Sequence, residues 1–279
     1  MISGSIHTEA QLEFSYDPVS TRTSLSKRRA GGLCSISKPY WDKATEVLGL
    51  QLVNPTAGLF SGDHLSIDIK INDYAKAAVT SPSATRFHTM PDANTRATIT
   101  QSFHVGHEAW LDYWPEIVIP QRDSDVIQVT KINLAKDASM VFLDSLAPGR
   151  LAHGENYQFR RFETVLEIRQ EDTLVAKERC VLSPASGRWP LDVPEWEACY
   201  YGAIWVADAN ASNIVEDLQN TNDIEATTLS HYGASLLSPE LGVIRIISPS
   251  SLLLRKSLSH FRDVIQDRLP KLKMSFRKI

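Results

Sequence analysis

Between His64 and Ile71 the chain reads HLSIDIKI, with Leu65, Ile67, Ile69 and Ile71 alternating with Ser66, Asp68 and Lys70. A period of two places one set of side chains on a buried face and the other in water, which is the pattern of a half-buried strand and not of a helix. Further strands are expected at Ala77–Ser81, Ala97–Val105, Ala109–Tyr113, Val126–Leu134 and Ser139–Leu143. Their short, even spacing, punctuated by polar and Gly/Pro turns, predicts a mainly β fold of the sandwich, barrel or solenoid type. Tyr157–Ile168 and Thr173–Leu182, flanking Gln170-Glu171-Asp172, predict a long hairpin, and Leu241–Ile247 a further strand.

Helix signals are confined to the last third. Ser212 is placed to cap a helix over Asn213–Asn220. A second, amphipathic helix follows Pro249 and Ser250, with Leu254, Leu258, Phe261, Ile265 and Leu269 recurring three or four residues apart, and Pro270 ending it. The Pro-rich stretch Leu182–Glu197 reads as a loop, and the tail KLKMSFRKI as a basic terminal segment. No domain boundary is visible, so residues 1–279 are read as one domain, a length that all-β domains reach as a single unit. A formal net charge of −4 argues against a nucleic-acid or anionic-membrane partner held by bulk electrostatics. Cys34, Cys180 and Cys199 are an odd, widely separated set, read as reduced thiols in a cytoplasmic protein. The N-terminus MISGSIHTEAQLEF shows neither the basic nor the apolar region of a signal peptide.

Three clusters carry candidate chemistry. In Asn54–Asp63, Gly58 and Gly62 free the backbone to turn, and Asp63 either accepts backbone N–H groups or presents its carboxylate on a functional surface. Thr80-Ser81-Pro82-Ser83-Ala84-Thr85-Arg86-Phe87-His88 gathers hydroxyls without a strained elbow or a placed base, which favours a polar turn over a nucleophile. Asp144–Glu155 runs from an apolar strand into an acid, a Pro-Gly turn at Gly149, then Arg150, His153, Gly154 and Glu155. Those groups suit acid–base work, a divalent ion, or an Arg–carboxylate pair that pins the turn. His104 and His107, spaced as H-x-x-H, lack the Glu of a zincin helix.

Taken in order, NPTAGLFSGDHLSIDI, TSPSATRFH, LDYWPEIVIP, LDSLAPGRLAHGENYQF and GASLLSPELGVIRIIS resemble the blocks of the urease accessory protein D family, called H in some bacteria. The resemblance runs from about Leu33 to the C-terminus; residues 1–30 match loosely, and His88 and Ala57 stand where the family often has Tyr and Gly. It implies a strand-rich, β-helical architecture with a few helices, and a non-catalytic scaffold in urease maturation. It implies binding to accessory protein F, through F to the GTPase accessory protein G, and to apo-urease. Nickel is then cargo in transit, with no permanently bound cofactor. Within that resemblance Asp63, Thr80, Ser81, Asp144 and Glu155 are expected to line or border a water-filled passage that exchanges the ion's hydration shell. Gly58, Gly62, Gly149, Arg150 and Gly154 are expected to shape the turns, Arg150 by bidentate pairing with a nearby carboxylate. The alternative is a β-rich protein-binding module unrelated to urease.

Overall fold

A computed structural model describes residues 5–184, 193, 196–220, 230–269 and 274. The protein is mainly β, in two facing sheets and a helical layer. An N-terminal hairpin, β1 (His7–Asp17) and β2 (Arg22–Arg29), starts the first sheet. β3 (Ser35–Ile36), β4 (Tyr40–Asp42) and β5 (Val47–Val53) start the second. The chain then alternates between the sheets. β6 (His64–Ile71), β9 (Ala97–Val105), β12 (Asp125–Leu134) and β14 (Arg161–Gln170) join β1 in parallel in the first. β7 (Lys76–Thr80), β10 (Trp110–Trp114) and β13 (Ser139–Leu146) extend β5 in parallel in the second. The short β8 (Thr85–Phe87) and β11 (Val118–Pro120) pair with each other in parallel, and β11 joins β13 of the second sheet. Antiparallel strands finish both sheets: β15 (Thr173–Leu182) on the first, and β16 (Tyr200–Ala207), β17 (His231–Ser238) and β18 (Leu241–Ser248) on the second.

The period-two pattern sets this arrangement. Leu65, Ile67, Ile69 and Ile71 of β6 face inward beside Ile99 and Phe103 of β9 and Val126 and Ile132 of β12, against Leu50, Val79, Leu111, Phe142 and Trp205 of the second sheet. The first sheet's other face carries Ser66, Asp68, Lys70, Thr100, Ser102 and Lys131, so it faces water. The second sheet is buried on both sides. Its outer face holds Val141, Leu143, Ile204, Val206, Ile244 and Ile246 under two helices, α1 (Ala211–Asn220) and α2 (Ser251–Arg268). That explains why these strands lack a clean alternation.

The α2 stripe of Leu254, Leu258, Phe261, Ile265 and Leu269 is buried as its spacing requires, and Ser250 caps the helix by accepting from the Leu253 N–H at 3.2 Å. The first helix differs from expectation. It begins at Ala211, ahead of the expected Ser212 cap, and Asp208 closes the turn that leads into it, its carboxylate accepting from the Asn210 N–H at 2.7 Å. β13 runs three residues past the expected Leu143, and the β14–β15 hairpin starts at Arg161 instead of Tyr157. Most of the Pro-rich Leu182–Glu197 stretch, Pro270, and all of the basic tail but Met274 lie outside the described residues.

One ion pair fixes the helical layer. Asp112 of β10 points away from the sandwich interior, is buried, and accepts from Arg262 of α2. Arg262 also lies over the Trp114 ring at 5.1 Å and donates to the Met274 carbonyl at 3.3 Å. Removing one partner of such a pair strands a buried charge, whereas replacing both restores an apolar contact. Arg262→Met is therefore expected to destabilise the fold by about 3–5 kcal/mol in urea unfolding. Asp112→Leu combined with Arg262→Met is expected to recover most of that loss.

Candidate functional site

The sandwich interior is not uniformly apolar. Three inward positions of the first sheet carry Gln101, Gln128 and Thr130, all buried. Thr130 Oγ1 donates to Gln101 Oε1 at 3.1 Å, and Gln101 Nε2 lies 3.5 Å from the Tyr113 hydroxyl across the interior. From the second sheet Asp144 faces the same space, and Gln128 Nε2 approaches its Oδ1 at 3.4 Å. Burial pushes the Asp144 carboxyl up to about 6; the Gln128 contact opposes this and the nearby Glu178 adds to it. Burial likewise raises the phenols of Tyr113 and Tyr201, and the Cys34 thiol to about 11.

These groups line two cavities. One, of about 70 Å³, is bordered by Thr80, Ser81, Gln101, Tyr113, Gln128 and Asp144, and reaches the exposed Ser83. The other, of about 380 Å³, extends from Gln128, Thr130 and Asp144 to Glu178, Tyr201 and Arg245 under β15. Gln128 and Asp144 belong to both, so the cavities meet at that pair. Each has room for water, and polar partners for it. At the far end Glu178 pairs with Arg245, whose guanidinium lies over Trp205 at 5.5 Å.

Of the residues singled out by sequence, Thr80, Ser81 and Asp144 come together here. Thr80 Oγ1 donates to the Trp114 carbonyl at 2.6 Å, and Ser81 Oγ accepts from the Glu116 N–H at 2.8 Å. Asp63 and Glu155 line neither cavity. Asp63 is buried at the start of β6, where it accepts from the Ile6 N–H at 2.8 Å and the Phe60 N–H at 2.7 Å. Both oxygens are thus committed to the backbone, the turn-capping alternative of its sequence reading. Glu155 accepts from Arg150 Nε at 2.8 Å and, through its other oxygen, from Arg150 Nη2. This bidentate pair holds the Glu155 carboxyl below the usual range.

The four glycines of these loops all have positive φ. Gly58 and Gly149 are also sterically committed: an added Cβ would meet the Arg86 carbonyl oxygen at 2.4 Å and the Glu155 carbonyl oxygen at 2.6 Å, respectively. His88 stacks on Phe60 at 4.3 Å, and His153 is exposed at the end of a short turn. His104 contacts Ser102 and Asn133, and His107 contacts the Lys136 carbonyl; among the described residues no group of three or more His, Cys, Asp or Glu is gathered to hold a metal. Gln101, Gln128, Glu116, Glu178 and Arg245 are the site residues that motif reading passes over. Gln101 and Gln128 carry a legible signal, since both occupy apolar-phase positions of alternating strands. Glu178 lies between Lys177 and Arg179 and carries none.

The sequence profile described as UreD urease accessory protein matches residues 8–278. The chain is similar to the urease accessory protein UreD of Opitutus terrae, at 34% identity over 88% of this chain and 89% of the relative. It is similar to that of Natronomonas pharaonis at 30% identity over 75% and 70%, and to that of Pseudomonas aeruginosa at 32% over 61% and 60%. A match of this extent, over strands, turns and both helices alike, places the chain in the UreD urease accessory protein family.

Proposed function

We propose that this protein is a non-catalytic scaffold of urease maturation, and that nickel crosses its sandwich interior with Asp144 as the midpoint. The observation that carries this reading is that two interior cavities share Asp144 and Gln128 in their walls. Nickel accepts carboxylate, imidazole and water ligands. An ion in transit must be held weakly enough to leave. One carboxylate flanked by amide, hydroxyl and phenol groups meets both requirements, because it attracts a hydrated cation without enclosing it. On this reading Thr80, Ser81, Gln101, Gln128 and Tyr113 exchange hydrogen bonds with the ion's water shell. Asp63 and Glu155 hold the loops around the passage.

The wider setting follows the family resemblance: accessory protein F as the direct partner, accessory protein G recruited through F, apo-urease as the receiver, and a cytoplasmic location. The alternation of parallel strands between two sheets is what supports the β-helical description. No helix among the described residues is long and apolar enough to cross a membrane.

Asp144→Asn keeps the shape and the Gln128 contact but removes the charge. Co-expressed with urease and its other accessory proteins at limiting nickel, it is expected to lower urease-bound nickel and activity several-fold while co-purification with accessory protein F is unchanged. Normal nickel loading would overturn the passage reading.

The same residue sets a pH dependence. The folded chain holds the Asp144 proton more tightly than the unfolded chain does, so between the ordinary value of 3.8 and about 6 the folded state binds the extra proton. Stability from this group is therefore present at low pH and lost as pH rises through that window. The stability of Asp144→Asn relative to the parent is expected to increase between pH 4 and pH 7 by on the order of 2 kcal/mol, read from urea unfolding. Asp63→Ala is expected to destabilise the fold by about 2–3 kcal/mol in urea unfolding, because it leaves two backbone N–H groups without their acceptor.

A further inference from the structure

The second sheet has a window beside Asp144. β10 pairs with β13 from Trp110↔Ser139 to Tyr113↔Phe142, and pairing on that side resumes only at Val118↔Leu146 of β11. Leu143, Asp144 and Ser145 thus have a ladder partner on one side alone, where they face Ile204, Ala203 and Gly202 of β16. Opposite the gap, Trp114–Ile117 turns its backbone hydrogen bonds the other way. The Trp114 carbonyl accepts from Thr80 Oγ1 at 2.6 Å, the Glu116 N–H donates to Ser81 Oγ at 2.8 Å, and the Ile117 carbonyl accepts from the Thr85 N–H at 3.1 Å. Pro115 has no N–H to offer. The hydroxyl loop thus supplies the hydrogen-bond partners of this segment where β13 has no ladder partner on that side.

Cavities lie on both sides of it. The interior cavity that holds Asp144 and a cavity of about 80 Å³ under α2 share Pro115, Glu116, Leu143 and Ser145 as their common wall. The helix-side cavity continues past Ser251 and Ser259, both exposed. Glu116 stands at the window, and Arg255 of α2 reaches its carboxylate at 3.0 Å. The pair is well exposed, so it holds with little energy and an incoming cation can compete for the carboxylate.

We propose that this window is a branch of the passage, through which a hydrated divalent cation moves between Asp144 and the α2 face, with Glu116 as the carboxylate at its threshold and Arg255 as the counter-charge that the cation displaces. The branch rests on the passage reading, and its test separates the two. The full chain is co-expressed with urease and the remaining accessory proteins at limiting nickel, and urease-bound nickel is measured together with co-purification of accessory protein F and urease. Three variants are compared: Glu116→Gln, which removes the threshold charge; Ser259→Trp, which fills the helix-side cavity from an exposed position; and Asp144→Asn. The expected result is a several-fold loss of urease-bound nickel in all three, with co-purification intact and the loss in Glu116→Gln relieved by excess nickel. Normal loading in Glu116→Gln and Ser259→Trp with loss in Asp144→Asn overturns the branch and leaves the passage standing. Normal loading in all three overturns the passage and the branch together. Loss of co-purification in Glu116→Gln and Ser259→Trp also overturns the branch, since it makes this surface a partner contact and not a route.

Discussion

A carboxylate between two apolar sheets is the constraint on which the rest of the interior depends. Replacing water by protein around Asp144 disfavours its charge, and the displaced pKa of about 6 records that cost. An interior built only for stability would carry Leu or Val at this position. The surroundings instead accommodate the acid with hydrogen bonds from the Gln128 amide and the Ser145 N–H, cavity space for water on both sides, and a proton whenever the pH falls. A site that holds its proton near neutrality is also one at which a cation competes with that proton. Whatever stabilises the charged form by binding must lower the pKa, and protonation must in turn weaken the binding.

The hydrogen-bond accounting of the second sheet depends on the same place. Every buried backbone group must find a partner. Where β13 passes Asp144, the strand ladder is interrupted on one flank over three residues, and the Ser145 N–H donates to the Asp144 carboxylate. The segment opposite is satisfied by Thr80, Ser81 and Thr85, so the hydroxyl cluster is a polar turn that also supplies partners to Trp114–Ile117. Gly202, paired with Ser145 on the intact flank, lets α2 approach closely: an added Cβ would sit 3.2 Å from Leu258. The helix therefore stays seated on the sheet while the window beside it remains open.

Alternation made the central strands legible, with β6 and β9 coinciding residue for residue with the expected His64–Ile71 and Ala97–Val105. β1 was not legible in the same way, because two of its inward positions are Thr8 and Ala10, which carry little apolar signal. β16 was obscured for the opposite reason: covered on both faces, it reads as a nearly continuous apolar run. The acids show a different limit. Asp63, Asp144 and Glu155 each follow or precede a turn, and residue type cannot distinguish them. What separates them is the partner each finds in space: two backbone N–H groups for Asp63, the Arg150 guanidinium for Glu155, and the Gln128 amide with the Ser145 N–H for Asp144. The functional candidate is the acid that lines the interior cavities, and that is a property of the fold.

The distribution of arginines bears on the passage proposed above. The carboxylate under β15, Glu178, is met by Arg245, and the one at the window, Glu116, by Arg255. The central Asp144 has no cation as a partner among the described residues. If all three acids were bare, the interior would be a deep electrostatic well, and a divalent ion would bind and stay. Paired acids at the periphery reduce the attraction there to a contest between the ion and an arginine, which differs little in free energy when the pair is exposed to water. On the passage reading proposed above, Asp144, with no cationic partner among the described residues, is where the cation is preferred, and its desolvation cost keeps that preference modest. A route that binds weakly at its ends and only slightly better in its middle can be emptied as readily as it is filled.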